Sequence, residues 1–254
     1  MKNFTFKSAI FLIAFLLNLQ LVWAQSPVQT LPAGVKNGVN YITNNSVTLV
    51  LTAPGKTNAY ATGSFNSWGT TYMNRTPDGQ NFWITLNGLT SGQEYIYQFV
   101  VDGIRIADPY TEKVLDPWND KYIPAATYPN LIAWNDTIKG IAGTFQTAQT
   151  AYQWRTTNFT APLKHKLVIY ELLIRDFTAA HSYQSVIDSI QYLKKLGINA
   201  IELLPVNEFE GNSSWGYNPS FFFAADKYYG TKNKLKELID VAHENGIAII
   251  IDMV

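Results

Sequence analysis

Apolar and polar residues alternate in short runs through the first part of the chain. Pro-Gly, Asp-Gly and Ser-Gly pairs separate these runs, which cover 46–52, 57–63, 81–88 and 94–103. A period of two is typical of strands that bury one face, and closely spaced strands without a helical pattern favour a small β-sandwich. We therefore predict a β-rich domain that begins at residue 46.

Residues 104–165 show no regular period. The segment 106–129 is rich in proline and aromatic residues and is too apolar for a free linker, so we predict that it lies against a neighbouring domain. The segment 142–154, AGTFQTAQTAYQW, is predicted to be a looser connection. We place the domain boundary near residue 160.

After residue 166, apolar runs alternate with amphipathic segments. Strand-like runs cover 166–177, 198–206 and 247–254, whereas 182–197 and 232–246 carry apolar residues on one helical face and end in glycine. This order is the repeating unit of a parallel sheet covered by helices. A doubly wound α/β fold is an alternative, but no glycine-rich phosphate loop follows any of the three strands.

The last nine residues, GIAIIIDMV, have the composition of a fully buried parallel strand. Such a strand needs neighbours on both edges, because an open apolar edge favours aggregation. We therefore expect the chain to be a fragment of a longer protein.

The N-terminal 24 residues have the parts of a secretory signal peptide. Lys2 and Lys7 give a basic start, an apolar stretch follows, and Val-Trp-Ala ends at Ala24, where cleavage is expected. A membrane anchor is the alternative, but Asn18 and Gln20 interrupt an apolar run that is short for a span. We expect a secreted, periplasmic or cell-surface protein without a membrane span once the signal is removed.

Composition narrows the class of ligand. The chain has 19 basic and 19 acidic residues, no basic run and no cysteine, so there is no disulfide framework and no support for a nucleic-acid partner. Aromatic residues make up 14% of the chain. In an exported protein of low charge they suit flat, partly apolar ligands, although packing explains most such rings.

The loop between Val206 and Lys232 is the longest of those that leave the predicted strands. It combines aromatic and amide side chains, which suits sugar recognition, because rings stack on pyranose faces and amides bind hydroxyl groups. A loop that only packs over the sheet would explain the same composition. Trp68 and Trp83 in the β-rich part also have two interpretations: they line a glucan-binding surface, or they pack in the core of the sandwich.

Several segments together resemble the start of the catalytic barrel of the α-amylase family, glycoside hydrolase family 13. They are VIYELLIRDF, LKKLGINAIELLPV, WGYNPSFFFAADKYYG and GIAIIIDMV, in this order. Upstream, GSFNSW and EYIYQFVVDG are similar to the small β-sandwich, related to carbohydrate-binding module family 48, that precedes the barrel in debranching, branching and maltogenic members.

The resemblance implies an immunoglobulin-like β-sandwich followed by the first three strands of a truncated (β/α)8 TIM barrel. On this basis residues 25–45 are an N-terminal extension, residues 46–160 are the sandwich with its connecting segment, and residues 161–254 are the barrel part.

The resemblance also implies roles for individual residues. Tyr217 matches the tyrosine that stacks on the sugar to be cleaved, and Trp215 and Asn218 belong to the same substrate-binding motif. Asp252 matches the aspartate that opens the family's first signature. In the family the nucleophile and the general acid lie on later strands, so no catalytic residue is assigned within this chain, which we expect to be inactive alone.

Other carboxylates near the predicted strand ends are not assigned to catalysis. We expect Asp176 to pair with Arg175, and we expect Glu208 and Glu210 to be solvated on their loop. Glu202 also lies near a strand end and receives no role. Calcium occurs in many members of the family, but nothing in this sequence identifies a metal site or another cofactor.

The function implied is that of a fragment of an exported glycoside hydrolase that cleaves α-glucosidic bonds of starch-type or glycogen-type glucans with retention. Two alternatives remain: a branching or transglycosylating enzyme of the same family, and a non-catalytic glucan-binding protein.

Overall fold

The computed structural model of the protein describes residues 25–254, so the predicted signal peptide lies outside the described residues. The described strands are β1 Gly38–Thr43, β2 Ser46–Thr52, β3 Ala59–Gly63, β4 Thr71–Tyr72, β5 Asn74–Arg75, β6 Asn81–Leu86, β7 Glu94–Val101, β8 Ile104–Ile106, β9 Val114–Leu115, β10 Ala142–Gln146, β11 Ile169–Leu172, β12 Ala200–Leu203, β13 Asn207–Phe209, β14 Pro219–Ala225 and β15 Ala248–Ile251. The α-helices are α1 Ile174–Phe177, α2 Tyr183–Asp188, α3 Ile190–Lys195 and α4 Lys232–Glu244. None of these helices combines the length and apolar character needed to cross a membrane.

The β-rich part consists of two antiparallel sheets packed on one core. The first has the strand order β1-β2-β6-β5, and the second has the order β4-β3-β7-β10-β9 with β8 also paired to β7. Val47 and Leu49 from the first sheet and Tyr97 and Phe99 from the second belong to the same buried cluster. Two sheets that share a core in this way form a β-sandwich, as the alternation predicted.

Six strands of this part, β1, β4, β5, β8, β9 and β10, lie outside the four predicted runs, and β1 and β10 are the longest of them. β1 lies inside the segment predicted as an N-terminal extension and pairs with β2, and β10 lies inside the segment predicted as a looser connection and pairs with both β7 and β9. β1 is largely exposed at the sheet edge and β10 is built mainly of small residues, so neither has a clear alternation of large apolar side chains.

Gly143 shows why small residues occur in β10. A Cβ atom at this position would lie 2.9 Å from the hydroxyl oxygen of Thr111 and 3.0 Å from the ring of Tyr97. Close packing around β10 therefore requires small residues, and small residues give no alternation of large apolar side chains from which a strand could be predicted.

The C-terminal part contains a parallel sheet in the order β11-β12-β15. Helices α2, α3 and α4 pack on one face of it. The shared core includes Leu172, Val186, Ile190, Leu193, Ile201, Leu203, Leu238 and Ala242. The strand–helix alternation of the sequence is confirmed here.

Element boundaries in the C-terminal part differ from the predicted ones. The run 166–177 forms only the four residues of β11 before α1 begins, and the predicted helix 182–197 is divided into α2 and α3 at Ser189. The Ser189 hydroxyl donates to the carbonyl of Ser185 at 2.8 Å, a backbone-directed bond that competes with regular helix geometry. The loop 206–232 holds a short irregular hairpin of β13 and β14.

Candidate functional site

The candidate site lies at the carboxyl edge of the parallel sheet, where β15 ends. The N–H of Asp252 donates to the carbonyl of Leu203 at 3.0 Å, which places this residue at the edge beside β12. The Tyr217 hydroxyl donates to Oδ2 of Asp252 at 2.5 Å. The structure therefore brings together two of the four residues that the resemblance assigned to substrate binding.

The Tyr217 hydroxyl is held in its neutral, donating form. The hydrogen bond to Asp252, then burial and the charges of Asp252, Glu171 and Glu202, raise the pKa of Tyr217 to about 12. The side chain is still 46% exposed. Its hydroxyl is therefore anchored while much of the ring remains accessible for stacking on a ligand.

Glu171 and Glu202 occupy equivalent positions on neighbouring strands. They are register partners in the pairing of β11 with β12, whereas the adjacent Leu172 and Leu203 belong to the core beneath the helices. Because side chains alternate along a strand, both glutamates lie on the opposite face of the sheet. The repeated sequences YELL and IELL contain this signal, but we did not select Glu171 from the sequence.

The turn that carries Tyr217 is fixed by its neighbours. Gly216 adopts a φ of 92°, and a Cβ atom there would lie 2.4 Å from the carbonyl oxygen of Pro205. The Gly216 N–H donates to the Ser214 hydroxyl at 3.0 Å, and that hydroxyl donates to the side-chain oxygen of Asn218. Trp215 in the same turn is 59% exposed. The turn thus presents two aromatic rings and an exposed amide.

A buried ion pair closes the base of the hairpin below this turn. Glu208 on β13 contacts the ammonium of Lys227, which follows β14 and is only 1% exposed. Asp120 contacts the same ammonium at 3.3 Å. Burial and these two carboxylates act oppositely on Lys227, and the carboxylates prevail, so its pKa is raised.

The prediction that Glu208 is solvated is wrong, because this side chain is 7% exposed. Burial raises the pKa of Glu208 despite the opposing effect of Lys227. The sequence signal was the Asp-Lys pair of AADKYY, which apolar residues precede and aromatic residues follow. A lysine buried in such surroundings needs carboxylate partners.

Trp68 and Trp83 make their contacts inside the β-rich part. Trp83 is 6% exposed, and its Nε1 donates to the carbonyl of Gln29 at 3.1 Å. Trp68 is partly buried against a cluster that contains Ile96 and Leu115. Trp83 in particular offers little surface to a ligand.

The expected ion pair of Arg175 and Asp176 is present, with Nε 2.7 Å from Oδ1. Within residues 25–254, no group of three or more His, Cys, Asp or Glu side chains is arranged to hold a metal ion. The carboxylates that converge near the hairpin base enclose the ammonium of Lys227 instead.

Comparison with protein families gives a match in the C-terminal part. Residues 176–254 match the family model described as alpha amylase, catalytic domain. This range contains the Tyr217 turn, the buried hairpin base and the last two strands of the parallel sheet.

Two curated relatives match longer stretches of the chain than the family model does. A malto-oligosyltrehalose trehalohydrolase of Saccharolobus solfataricus is 31% identical over 158 residues, which cover 62% of this chain and 27% of that protein. A 1,4-alpha-glucan branching enzyme of Rhodospirillum rubrum is 30% identical over 236 residues, which cover 86% of this chain and 30% of that protein. The chain thus spans less than a third of the length of either relative.

Solved structures show the same architecture. A Salmonella typhimurium protein described as an alpha amylase superposes with a TM-score of 0.67 at 26% identity, over 86% of this chain and 33% of that one. A Bacillus subtilis pullulanase complexed with maltose gives 0.62 at 23% identity, over 87% and 33%, which is a likeness of fold alone.

The likeness of the β-rich part to carbohydrate-binding module family 48 stays a prediction. The fold is a partial α-amylase-type barrel preceded by a β-rich region, and residues 176–254 match the catalytic domain of the alpha-amylase family.

Proposed function

We propose that this chain is part of an exported α-amylase-family enzyme that acts on α-glucans of the starch or glycogen type. The observation that carries the proposal is the hydrogen bond between Tyr217 and Asp252 at the carboxyl edge of the parallel sheet. In α/β barrels this edge is where substrates bind. The family match over residues 176–254 gives the fold its most specific functional context.

In this proposal the Tyr217 ring stacks on one face of a glucose unit. Its hydroxyl is already bonded to Asp252, so the ring orientation is set before the ligand arrives and little conformational entropy is lost on binding. Exposed Trp215 supplies a second apolar surface, and the Asn218 amide supplies polar contacts to sugar hydroxyl groups. The second oxygen of Asp252 is available for the same purpose.

The proposed reaction is hydrolysis with retention, carried out by carboxylates of the full-length protein that we do not assign within residues 25–254. Hydrolysis is favoured over branching because polymer synthesis belongs inside the cell, whereas we propose an exported protein. Branching keeps support from the Rhodospirillum rubrum relative. The two reactions differ in product: hydrolysis generates new reducing ends, and branching changes the iodine-staining spectrum of a glucan without generating them.

Binding is tested by affinity electrophoresis of the full-length protein in gels that contain glycogen. The Tyr217→Ala variant is expected to lose most of the retardation. Tyr72→Ala is the matched control, because Tyr72 is similarly exposed, at 48%, but lies on β4 of the β-rich part. Equal retardation of Tyr217→Ala and the unmodified protein would contradict the proposed site.

Export is tested by determining the N-terminal residue and the cellular fraction of the protein produced by its own cells. We expect the mature chain to begin at Gln25, because the signal peptide is proposed to end at Ala24. Mass spectrometry of the N-terminal peptide in secreted and cell-associated fractions gives the answer. A mature protein that retains Met1 and stays in the cytoplasm would contradict it.

A further inference from the structure

The ion pair of Glu208 and Lys227 at the hairpin base is linked through the two hairpin strands to the turn that carries Tyr217. Glu208 lies on β13 and Lys227 lies two residues after β14, and the Lys227 N–H also donates to the Glu208 carboxylate at 3.3 Å. The turn with Tyr217 lies in the chain between these strands. A shift of either strand therefore moves the entry or the exit of the turn.

Asp120 joins this ion pair from the segment that follows the β-rich strands. Its side chain is buried, one oxygen contacts Lys227 at 3.3 Å, and the other accepts the N–H of Asp116 at 2.9 Å. The Asp116 carboxylate in turn accepts the N–H of Trp118 at 2.7 Å. Asp120 is thus held in a compact turn with defined geometry before it meets the hairpin.

A second contact joins the same two segments above the ion pair. The Asn212 side chain donates to the carbonyl of Asn119 at 2.9 Å, and Asn212 lies on the hairpin side of the Tyr217 turn. The segment 116–120 therefore contacts the hairpin at its base and again close to the turn. Two separated contacts restrain rotation of the hairpin as well as its translation.

The buried contact is the stronger of the ionic links between these parts. Lys227 and its partners are removed from water, where a charge–charge interaction is screened little and an unpaired charge is costly. Lys232 also pairs with Glu112 across the junction, at 2.8 Å, but these side chains are 39% and 60% exposed. An exposed pair of this kind contributes little and serves as a control.

We propose that Asp120 is a positioning residue for the glucan site: through Lys227 and Glu208, the segment after the β-rich strands sets the position of the Tyr217 turn. This inference rests on the proposed function, because it concerns the same site. It makes the β-rich part a structural component of that site. An independent binding module would need no buried charge on the hairpin that carries Tyr217.

The test is a double-mutant cycle on the full-length protein, with glycogen affinity from gel retardation as the readout. Asp120→Asn keeps the side-chain size and removes the charge that meets Lys227. We expect it to weaken binding about five- to twentyfold, a range typical of coupling between sites. In a Tyr217→Ala background the same substitution should change affinity less than about twofold, because Asp120 acts through that ring. The control Glu112→Gln should have no effect in either background.

A second readout does not depend on glucan binding. Hydrogen exchange of the Gly216 amide, which is bonded to Ser214, should accelerate in Asp120→Asn and stay unchanged in Glu112→Gln. Asn212→Ala, which removes only the upper contact, provides a milder variant if Asp120→Asn folds poorly, and it should shift both readouts in the same direction.

The outcomes separate the two claims. Unchanged exchange at Gly216, or the same loss of affinity in both backgrounds, overturns the positioning role of Asp120 and leaves the proposed function intact. If the unmodified protein and Tyr217→Ala bind glycogen equally well, the glucan site proposed at Tyr217 is contradicted, whatever the exchange measurement gives.

Discussion

Asp240 on α4 and Asp226 after β14 are both buried carboxylates of the C-terminal part, but their surroundings differ. Asp240 accepts hydrogen bonds from neutral groups of the preceding segment: the Tyr152 hydroxyl at 2.7 Å, the Arg155 N–H at 3.0 Å and the Thr156 N–H at 3.1 Å. Burial opposes ionisation of Asp240, but the three donors outweigh it and lower the pKa of this carboxyl.

Asp226 accepts two backbone donors, the N–H of Tyr228 at 2.8 Å and that of Phe209 at 3.3 Å. Burial and the neighbouring Glu208 carboxylate raise the pKa of Asp226 well above its ordinary value, and the adjacent Lys227 offsets this only in part. The comparison indicates that convergent neutral donors favour the charged form of a buried carboxylate. Where several carboxylates crowd around one ammonium, burial and their mutual repulsion favour the protonated form.

Removal of the Lys227 ammonium should cause the largest loss of stability among the variants considered for these two carboxylate sites. Lys227→Met keeps the apolar stem and leaves the carboxylates of Asp120 and Glu208 buried without the cation that they contact. We expect the free energy of unfolding in urea to fall by about 3–5 kcal/mol. Lys232→Met, at the exposed pair with Glu112, should lose no more than about 1 kcal/mol. Equal losses for the two variants would contradict the role of burial.

Carboxyl-to-amide substitutions compare the two aspartates directly. Asp240→Asn replaces an oxygen that accepts hydrogen bonds by an amide nitrogen, so we expect a loss of about 1–3 kcal/mol in unfolding free energy at pH 7. Asp226→Asn should lose less than Asp240→Asn, because the raised pKa of Asp226 favours the neutral carboxyl and an amide resembles that form. The reverse order in urea unfolding would contradict this expectation.

The pH dependence of stability should have opposite signs at the two sites. The raised pKa of Asp226, and those of Glu208 and Asp120 beside Lys227, mean that the folded chain binds protons that the unfolded chain has released. Stability then falls as pH rises above the ordinary value of 3.8, by up to about 1.4 kcal/mol per pH unit for one proton. The contribution of Asp240 is instead present above 3.8 and lost as pH falls below it.

Urea midpoints measured from about pH 5 upward, above the ordinary carboxyl value of 3.8, test this sign. Asp226→Asn should show a smaller decline with rising pH than the unmodified protein. A parallel decline in both proteins would mean that the proton is held elsewhere.

The smallest change in the free energy of unfolding is expected when the side chain of Arg155 is removed. Its guanidinium pairs with Glu244 at 2.7 Å on the surface, and only its backbone N–H reaches Asp240. Arg155→Ala should therefore change the unfolding free energy by no more than about 0.5 kcal/mol. Arg155→Pro removes the N–H and should cost clearly more in the same urea titration. A large effect of the alanine variant would place the stabilisation in the guanidinium.

The elements that sequence patterns predicted well are those whose burial follows one period. α4 buries one face of an amphipathic helix, including Leu238 and Ala242, and it is capped by Thr231, whose side chain accepts the Lys234 N–H at 3.1 Å. β2 has the bounds of the predicted run 46–52, although it is buried at six of its seven positions and not on one face alone. Local residues suffice for such elements. β10 is different, because its position depends on packing against Thr111 and Tyr97, which lie elsewhere in the chain.

In the candidate site, too, single residues were predictable from the sequence, whereas contacts between distant residues were not. The resemblance selected Tyr217 and Asp252 singly, whereas their hydrogen bond joins residues that only the folded sheet brings together. The burial of Glu208 escaped prediction for a related reason, since it depends on Lys227 and Asp120 from distant segments. Spacing along the chain carries no information on such pairs.

The place of β10 beside β7 has a consequence for synthesis on the ribosome. The half of β7 from Glu94 to Tyr97 pairs with β10, so its outer edge has no partner until residue 146 has been made. At a synthesis rate of roughly 5–20 residues per second, the backbone groups on this edge of β7 stay unpaired for several seconds. The nascent chain therefore passes through an interval in which a chaperone that covers strand edges would be of most use.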